Sequence, residues 1–243
     1  MKDRIYTIPV TDAFREDCEC PFCVLEKKLE EENLDYFLGG ALMEPDCRQE
    51  MNEHGFCKNH LDSLFESKKN VLGLSLILSS YMKEYSQKLS KVSKVSKTAF
   101  DNTKSKSFFS RGKDVSPTAE MKRFLLENWA DCVICNKLDK TMKRYISVFF
   151  HMWRTEKDFR DIFEGKKGFC NVHFLMLVQE SENCLKEKEV AQFLPVLYDM
   201  QVKNLERLQS EVEWFAQKFD YNNQDAPWGD SKDAVPRCIE KLK

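Results

Sequence analysis

The strongest constraint on the fold is a set of cysteines and histidines that the chain writes twice. Cys20-Pro21-Phe22-Cys23, a helical stretch and Gly55-Phe56-Cys57-Lys58-Asn59-His60 recur as Cys132-Val133-Ile134-Cys135, a helical stretch and Gly168-Phe169-Cys170-Asn171-Val172-His173. A shift of 112 positions also carries Lys28 onto Lys140, Phe37 onto Phe149, Glu44 onto Glu156, Asp46 onto Asp158 and Arg48 onto Arg160. After a one-residue insertion a shift of 113 carries Gly55, Phe56, Cys57 and His60 onto Gly168, Phe169, Cys170 and His173, and identities of apolar, charged and ligand-type residues in so nearly constant a register indicate duplication of a helical unit. Each copy brings three thiols and one imidazole.

These residue types at these spacings suit a metal ion. A thiolate pair two residues apart closes a tight turn whose sulfurs face one point, the recurring half-site of structural zinc. The other half, Cys-x-x-His after a glycine, puts thiolate and imidazole on one helical face if the cysteine stands at a helix start, where the dipole favours thiolate. Pairing within each copy gives two Cys3His sets: Cys20, Cys23, Cys57 and His60, and Cys132, Cys135, Cys170 and His173. Four protein ligands fill a tetrahedron and leave no open position for chemistry. The expected cofactor is therefore zinc, two ions per chain, stapling helices. An iron–sulfur cluster in the same sets is the alternative. Covalent haem is excluded because Val24 and Asn136 stand where the attachment motif needs histidine. His54 and His151 lack counterparts in the other copy and are not expected to ligate; Cys18, Cys47, Cys184 and Cys238 are likewise unmatched.

Composition fixes the class. Charged residues make up 32% of the 243, with 8 Gly and 7 Pro, and the apolar residues recur at helical rather than alternating spacing, so an all-α protein is expected. A net charge of −2 argues against a duplex-DNA binder. The charged amino terminus does not read as a secretory signal, and the most apolar run, over 71–78, is far too short for a membrane span. A cytoplasmic location is expected, where ten cysteines in paired spacings indicate metal or redox chemistry rather than a disulfide framework.

Along the chain, residues 1–97 form the first metal-binding unit, 98–117 a basic linker, 118–222 the second unit with a long C-terminal helix, and 223–243 a tail with a short helix. Residues 1–19 read as an extended lead-in with at most one turn of helix. A helix from Val24 stops at Gly39-Gly40, and a short one over 46–53 takes Asp46 as N-cap, as Asp158 does in the second copy. Another begins at Cys57 and runs unbroken toward Lys97. The last long helix covers roughly 190–219. Lysines at 83, 88, 91, 94, 97, 104, 106 and 113, with Arg111, read as a solvated helix end entering the connection; without interleaved aromatics they do not make a nucleic-acid platform. Asp46/Arg48 and Asp158/Arg160 read as caps with interhelical ion pairs.

The motifs Cys20-Pro21-Phe22-Cys23, Asp46-x-Arg48, Gly55-Phe56-Cys57-x-x-His60 and Pro227-Trp228-Gly229-x-x-Lys232-Asp233-Ala234 together resemble an uncharacterised bacterial family of about this length. The resemblance implies a helical cytosolic protein with paired Cys/His motifs and no agreed activity, and it brings no catalytic residues. The resulting expectation is a non-enzymatic zinc-bound scaffold or adaptor that meets a protein partner or a second copy of itself. A thiol-based or iron–sulfur redox protein is the competing class.

Overall fold

The computed structural model describes residues 4–105 and 118–243. Among the described residues the chain is all-α, with eleven α-helices and no strand, and it carries two Cys3His groups. The helices are α1 (Arg4–Arg15), α2 (Pro21–Leu38), α3 (Pro45–His54), α4 (Lys58–Glu66), α5 (Val71–Ser105), α6 (Ala119–Ala130), α7 (Val133–Thr155), α8 (Lys157–Glu164), α9 (Asn171–Cys184), α10 (Glu187–Gln217) and α11 (Ala234–Leu242). Among the described residues none is long and apolar enough to cross a membrane.

The units that pack together are not the two sequence copies. A terminal unit combines Met1–Lys28 with Lys140–Lys243, and a central unit spans Leu29–Asp139. The division falls inside α2 and inside α7, so the Cys-x-x-Cys start of each lies on one side of it and the far end on the other.

The terminal unit is built on phenylalanine. Phe14 of α1, Phe22 of α2, Phe149 and Phe150 of α7, Phe159 and Phe163 of α8, Phe169 just before α9 and Phe193 of α10 are each at most 2% exposed. Most of their rings meet edge-on or tilted, as Phe14 on Phe22 at 5.5 Å and Phe149 on Phe163 at 5.5 Å, while Phe14 on Phe149 and Phe163 on Phe169 and Phe193 are stacked. Truncating any one to alanine in such a core costs roughly 3–5 kcal/mol. The central unit buries Phe37, Leu42, Met51, Leu64, Leu74, Ile77, Val133 and Ile134 together. There α3, α4 and α6 all pack on α5.

Several expectations change. Residues 4–15 are the helix α1, not an extended lead-in; Val10, Ala13 and Phe14 form its buried stripe, and Pro9 lies within the helix. The helix starting at Cys57 is interrupted. Lys68 takes a left-handed φ of 51°, and Asn70 Oδ1 accepts the Gly73 N–H, starting α5 afresh. Helix α5 then runs past residue 98 to Ser105, since no glycine or proline intervenes to stop it. The remainder of the basic connection, residues 106–117 with Lys106, Arg111 and Lys113, lies outside the described residues. Asp46 and Asp158 are not N-caps: Glu44 and Glu156 hold those positions, and the aspartates sit in the first turn.

The repeated arginines also act differently from expectation. Arg48 donates to the Leu76 carbonyl and Ser80 Oγ, tying α3 to α5. Arg160 donates to the Trp153 and Arg154 carbonyls and lies 4.8 Å over the Trp153 ring, so it satisfies the open carbonyls at the end of α7.

Candidate metal centres

Both halves of each centre are helix starts. Cys20 precedes α2, whose first residue is Pro21, and the Cys23 N–H bonds back to the Cys20 carbonyl at 3.1 Å, placing both sulfurs on one side of the turn. Cys57 and Cys170 are the N-caps of α4 and α9, with nearly identical extended backbone (φ −71°, ψ 164° and φ −69°, ψ 163°). Each histidine follows three residues on, in the first turn. The glycine before each Phe-Cys has a structural reason: Gly55 and Gly168 adopt φ of 66° and 85°. A Cβ there would also press on the Tyr81 hydroxyl at 2.5 Å or on Gln201 at 2.6 Å. Gln201 exchanges two hydrogen bonds with the Phe169 backbone, at 2.9 and 2.8 Å, and so holds the turn that delivers Cys170.

All eight predicted residues converge on two points, but the halves are exchanged between copies. Cys20 and Cys23 meet Cys170 and His173 in the terminal unit, and Cys132 and Cys135 meet Cys57 and His60 in the central unit. Within each set the ligand atoms lie within 4.8 Å of one another. Pairing inside a copy is thereby corrected. Each Cys-x-x-Cys start lies in a different packing unit from the Cys-x-x-His of its own copy.

The geometry fits one tetrahedral ion per set. Sulfur bound at about 2.3 Å and nitrogen at about 2.0 to 2.1 Å give tetrahedral edges of about 3.8 Å for S···S and about 3.6 Å for S···N. His173 Nδ1 lies 3.6, 3.4 and 3.1 Å from the sulfurs of Cys20, Cys23 and Cys170, and Cys23 to Cys170 is 3.4 Å. His60 Nδ1 lies 3.2, 3.3 and 3.4 Å from Cys57, Cys132 and Cys135, and Cys57 to Cys135 is 3.8 Å. Both imidazoles thus turn Nδ1 inward. The outer Nε2 of His60 is 3.3 Å from Glu30, and that of His173 is 3.8 Å from Glu26, a carboxylate behind each ligating ring. Such outer carboxylates fix ring orientation and tautomer at metal-binding histidines. The two glutamates stand four apart on α2, a spacing the sequence displays but which has no counterpart on α7.

Crowding sets the charge of each donor set. Hydrogen bonds from Cys20 and Cys23 hold the Cys170 thiol far below the ordinary cysteine range, while Cys23, bonded to Cys170 and Cys20, is pushed up. Burial pulls His173 down, but its hydrogen bonds to Cys170 and Cys20 outweigh that and carry it up to about 10. In the central unit burial, then Cys132, pushes Cys135 up, and burial lowers His60 against the opposing pull of Glu30. Protons and hydrogen bonds share one small buried volume in each set; a cation at its centre would take their place.

Acidic residues directly before the two Cys-x-x-Cys turns, Glu in one copy and Asp in the other, anchor them, a repeated acidic position that sequence reasoning passed over. Asp131 Oδ2 lies 2.8 Å from His54 Nδ1, and the Val133 N–H donates to the Gly55 carbonyl at 3.0 Å, joining the two ligand loops of the central unit. Its equivalent in the terminal unit, Glu19, is only 4% exposed and meets Arg207 at 2.7 Å, Arg237 at 3.2 Å and Lys241 at 3.6 Å. Lys241 is wholly buried and donates to the carbonyls of Glu19 and Lys167, so α11 clasps the approaches to both Cys20 and Cys170.

His54 and His151 stand outside both sets, as do Cys18, Cys47, Cys184 and Cys238. Replacing His54 or His151 by Ala is therefore expected to leave metal content unchanged. His54→Ala should cost no more than about 1 kcal/mol, the scale of a part-exposed ion pair. Elemental analysis of each purified variant checks this; loss of an ion from either would mean the ligand assignment is wrong.

A family model described as a family of unknown function, DUF6062, matches residues 1–243. The chain belongs to the DUF6062 family. The match covers every motif on which the resemblance to an uncharacterised family rests. No curated protein and no solved structure matches this DUF6062 chain.

Proposed function

We propose that this DUF6062 member is a zinc-stapled helical scaffold: each crossed Cys3His set closes around one zinc ion, and the helices so fixed present a surface to a protein partner or to a second copy. The observation that carries this reading is the closure of each set, three Sγ and one Nδ1 within 4.8 Å of one another. Four protein donors occupy every position of a tetrahedron, the arrangement of structural rather than catalytic zinc. The same compactness disfavours the iron–sulfur alternative, because a multi-iron core spreads its thiolates farther apart than 3.4 to 3.8 Å. Thiolate ligands must stay reduced, which suits a cytoplasmic setting.

Elemental analysis with an absorption spectrum, on protein purified anaerobically without added metal, tests the proposal. Two zinc equivalents per chain in a colourless preparation are expected, with chelation unfolding the chain as structural sites do. A brown preparation with charge-transfer bands and iron in place of zinc would transfer the protein to the redox class. Metal-free protein with undiminished thermal stability would sink both readings.

A further inference from the structure

Away from its metal centre, the terminal unit holds a cavity of about 760 Å³ lined by α1, α7 and the end of α9. That volume is in the range of small-molecule sites. Helix α7 supplies a polar wall, because Arg144, Ser147, His151 and Arg154 all line the cavity. Spaced at i, i+3, i+7 and i+10, these four fall within about 80° of one another around the helix and so share one face. Beside them the buried Val148 and Phe150 make an apolar floor.

The wall is cationic and lacks a counter-charge. No aspartate or glutamate is among the residues that line the cavity, and Glu180, outside it, is bonded to Asn183 at 3.2 Å. Arg160, Arg207 and Arg237 of the same unit give their guanidinium groups to carbonyls or carboxylates. Neither the Arg154 guanidinium nor the His151 ring has such a partner among the described residues. Arg154 acts on the Cys184 thiol, but burial pushes that thiol up and leaves it uncharged. Arg144 is held in position: it donates to Tyr6 Oη at 2.8 Å and lies 5.7 Å from the same ring, which meets Tyr145 edge-on at 5.9 Å. That bond uses one of the five N–H donors of the guanidinium fork.

The duplication separates this wall from what the fold requires. The core residue Phe149 recurs as Phe37, whereas the positions 112 before Arg144, Ser147, His151 and Arg154 are Glu32, Asp35, Gly39 and Leu42. One copy alone has acquired the donors, and it has acquired them around a cavity. We infer that this cavity binds a small organic anion, its phosphate or carboxylate oxygens held by Arg144, His151 and Arg154 and its apolar part resting on Val148 and Phe150. Guanidinium groups match the geometry of both oxyanions and bind them bidentately. The inference goes beyond the scaffold reading and needs only a folded terminal unit, whichever ion its Cys3His set holds.

Calorimetry on the full, metal-loaded chain tests it, with phenyl phosphate and benzoate as probes, uncharged benzyl alcohol beside them, and metal content and circular dichroism measured on the same samples. Saturable one-to-one binding of either anion, and none of benzyl alcohol, is expected; the tighter anion identifies the oxyanion that the site takes. Arg144→Gln and Arg154→Gln, both at exposed positions, should each weaken binding about tenfold through loss of a charge-assisted pair, with metal content unchanged. Arg123→Gln on α6, outside the terminal unit, should leave it at wild-type strength. Absence of saturable binding for both anions overturns the inference. So does binding that Arg144→Gln and Arg154→Gln leave intact, which would put the anion elsewhere on the chain, or equal binding of benzyl alcohol, which would need no cation. A metal-free chain that still binds the anion through Arg144 and Arg154 supports the site and removes the zinc staple.

Discussion

The Cys20→Ser/His173→Ala double variant is expected to lose one metal equivalent per chain, and the Cys20→Ser/His60→Ala double variant two. The first pair of substitutions falls in a single donor set and the second divides between both. Pairing within each sequence copy predicts the reverse, so a count of bound metal in two proteins separates the topologies. Loss of a structural ion of this kind costs on the order of 10 kcal/mol of folding free energy. The emptied unit should accordingly lose order along with its ligands, visible as a lower helical signal and an early thermal transition. In Cys20→Ser/His173→Ala that loss belongs to the terminal unit, and the central unit should keep its ion. Equal metal loss in the two double variants would refute the crossed arrangement.

Substitution of Glu19 is the second large effect. Its carboxylate is 4% exposed and is shared by Arg207, Arg237 and Lys241, of which Arg207 and Arg237 are also paired with Glu211 at 2.8 and 2.6 Å. Removing one partner from a buried charge network leaves the others uncompensated and costs roughly 3–5 kcal/mol. Glu19→Ala is expected to approach that range, somewhat reduced because Glu211 retains two of the cations. Lys241→Met keeps the buried stem but removes the donor to two carbonyls, an effect of about 1–3 kcal/mol. In a chain of this length each kcal/mol lowers the melting temperature by roughly 2–4 °C. Both variants should also release the ion of the terminal unit to a chelator faster than wild type, and the ion of the central unit at the wild-type rate. Equal release rates at both sites would show that α11 does not brace the Cys20 and Cys170 loops.

Much of this protein was legible in its residues because the relevant physics is local. Helix α2 ends before Gly39-Gly40 as expected, and α10 covers Glu187–Gln217 against an expected 190–219. Cys57 and Cys170 stand at helix starts because a positive-φ glycine two residues earlier turns the chain there. The failures are also local ones in which a signal was hidden. Pro9 lies inside α1, which read as a lead-in, and a single left-handed residue, Lys68, parts α4 from α5 within the all-polar stretch 66–70, where no glycine or proline marks the stop.

The eight donors and their division into thiol pairs and thiol–imidazole pairs follow from the sequence alone, since residue type and spacing decide what a turn can offer an ion. Which pair joins which does not follow, because duplication makes the two Cys-x-x-Cys turns chemically interchangeable, and likewise the two Cys-x-x-His starts. Tertiary packing broke that degeneracy. Phe14, Phe22 and Phe169 sit in one aromatic core, which sets the first thiol pair beside Cys170 and His173, while Val133 and Ile134 share the other core with Phe56 and Leu64 beside Cys57 and His60. The burial of large apolar side chains next to each motif selected the partner, and the ligands follow the core.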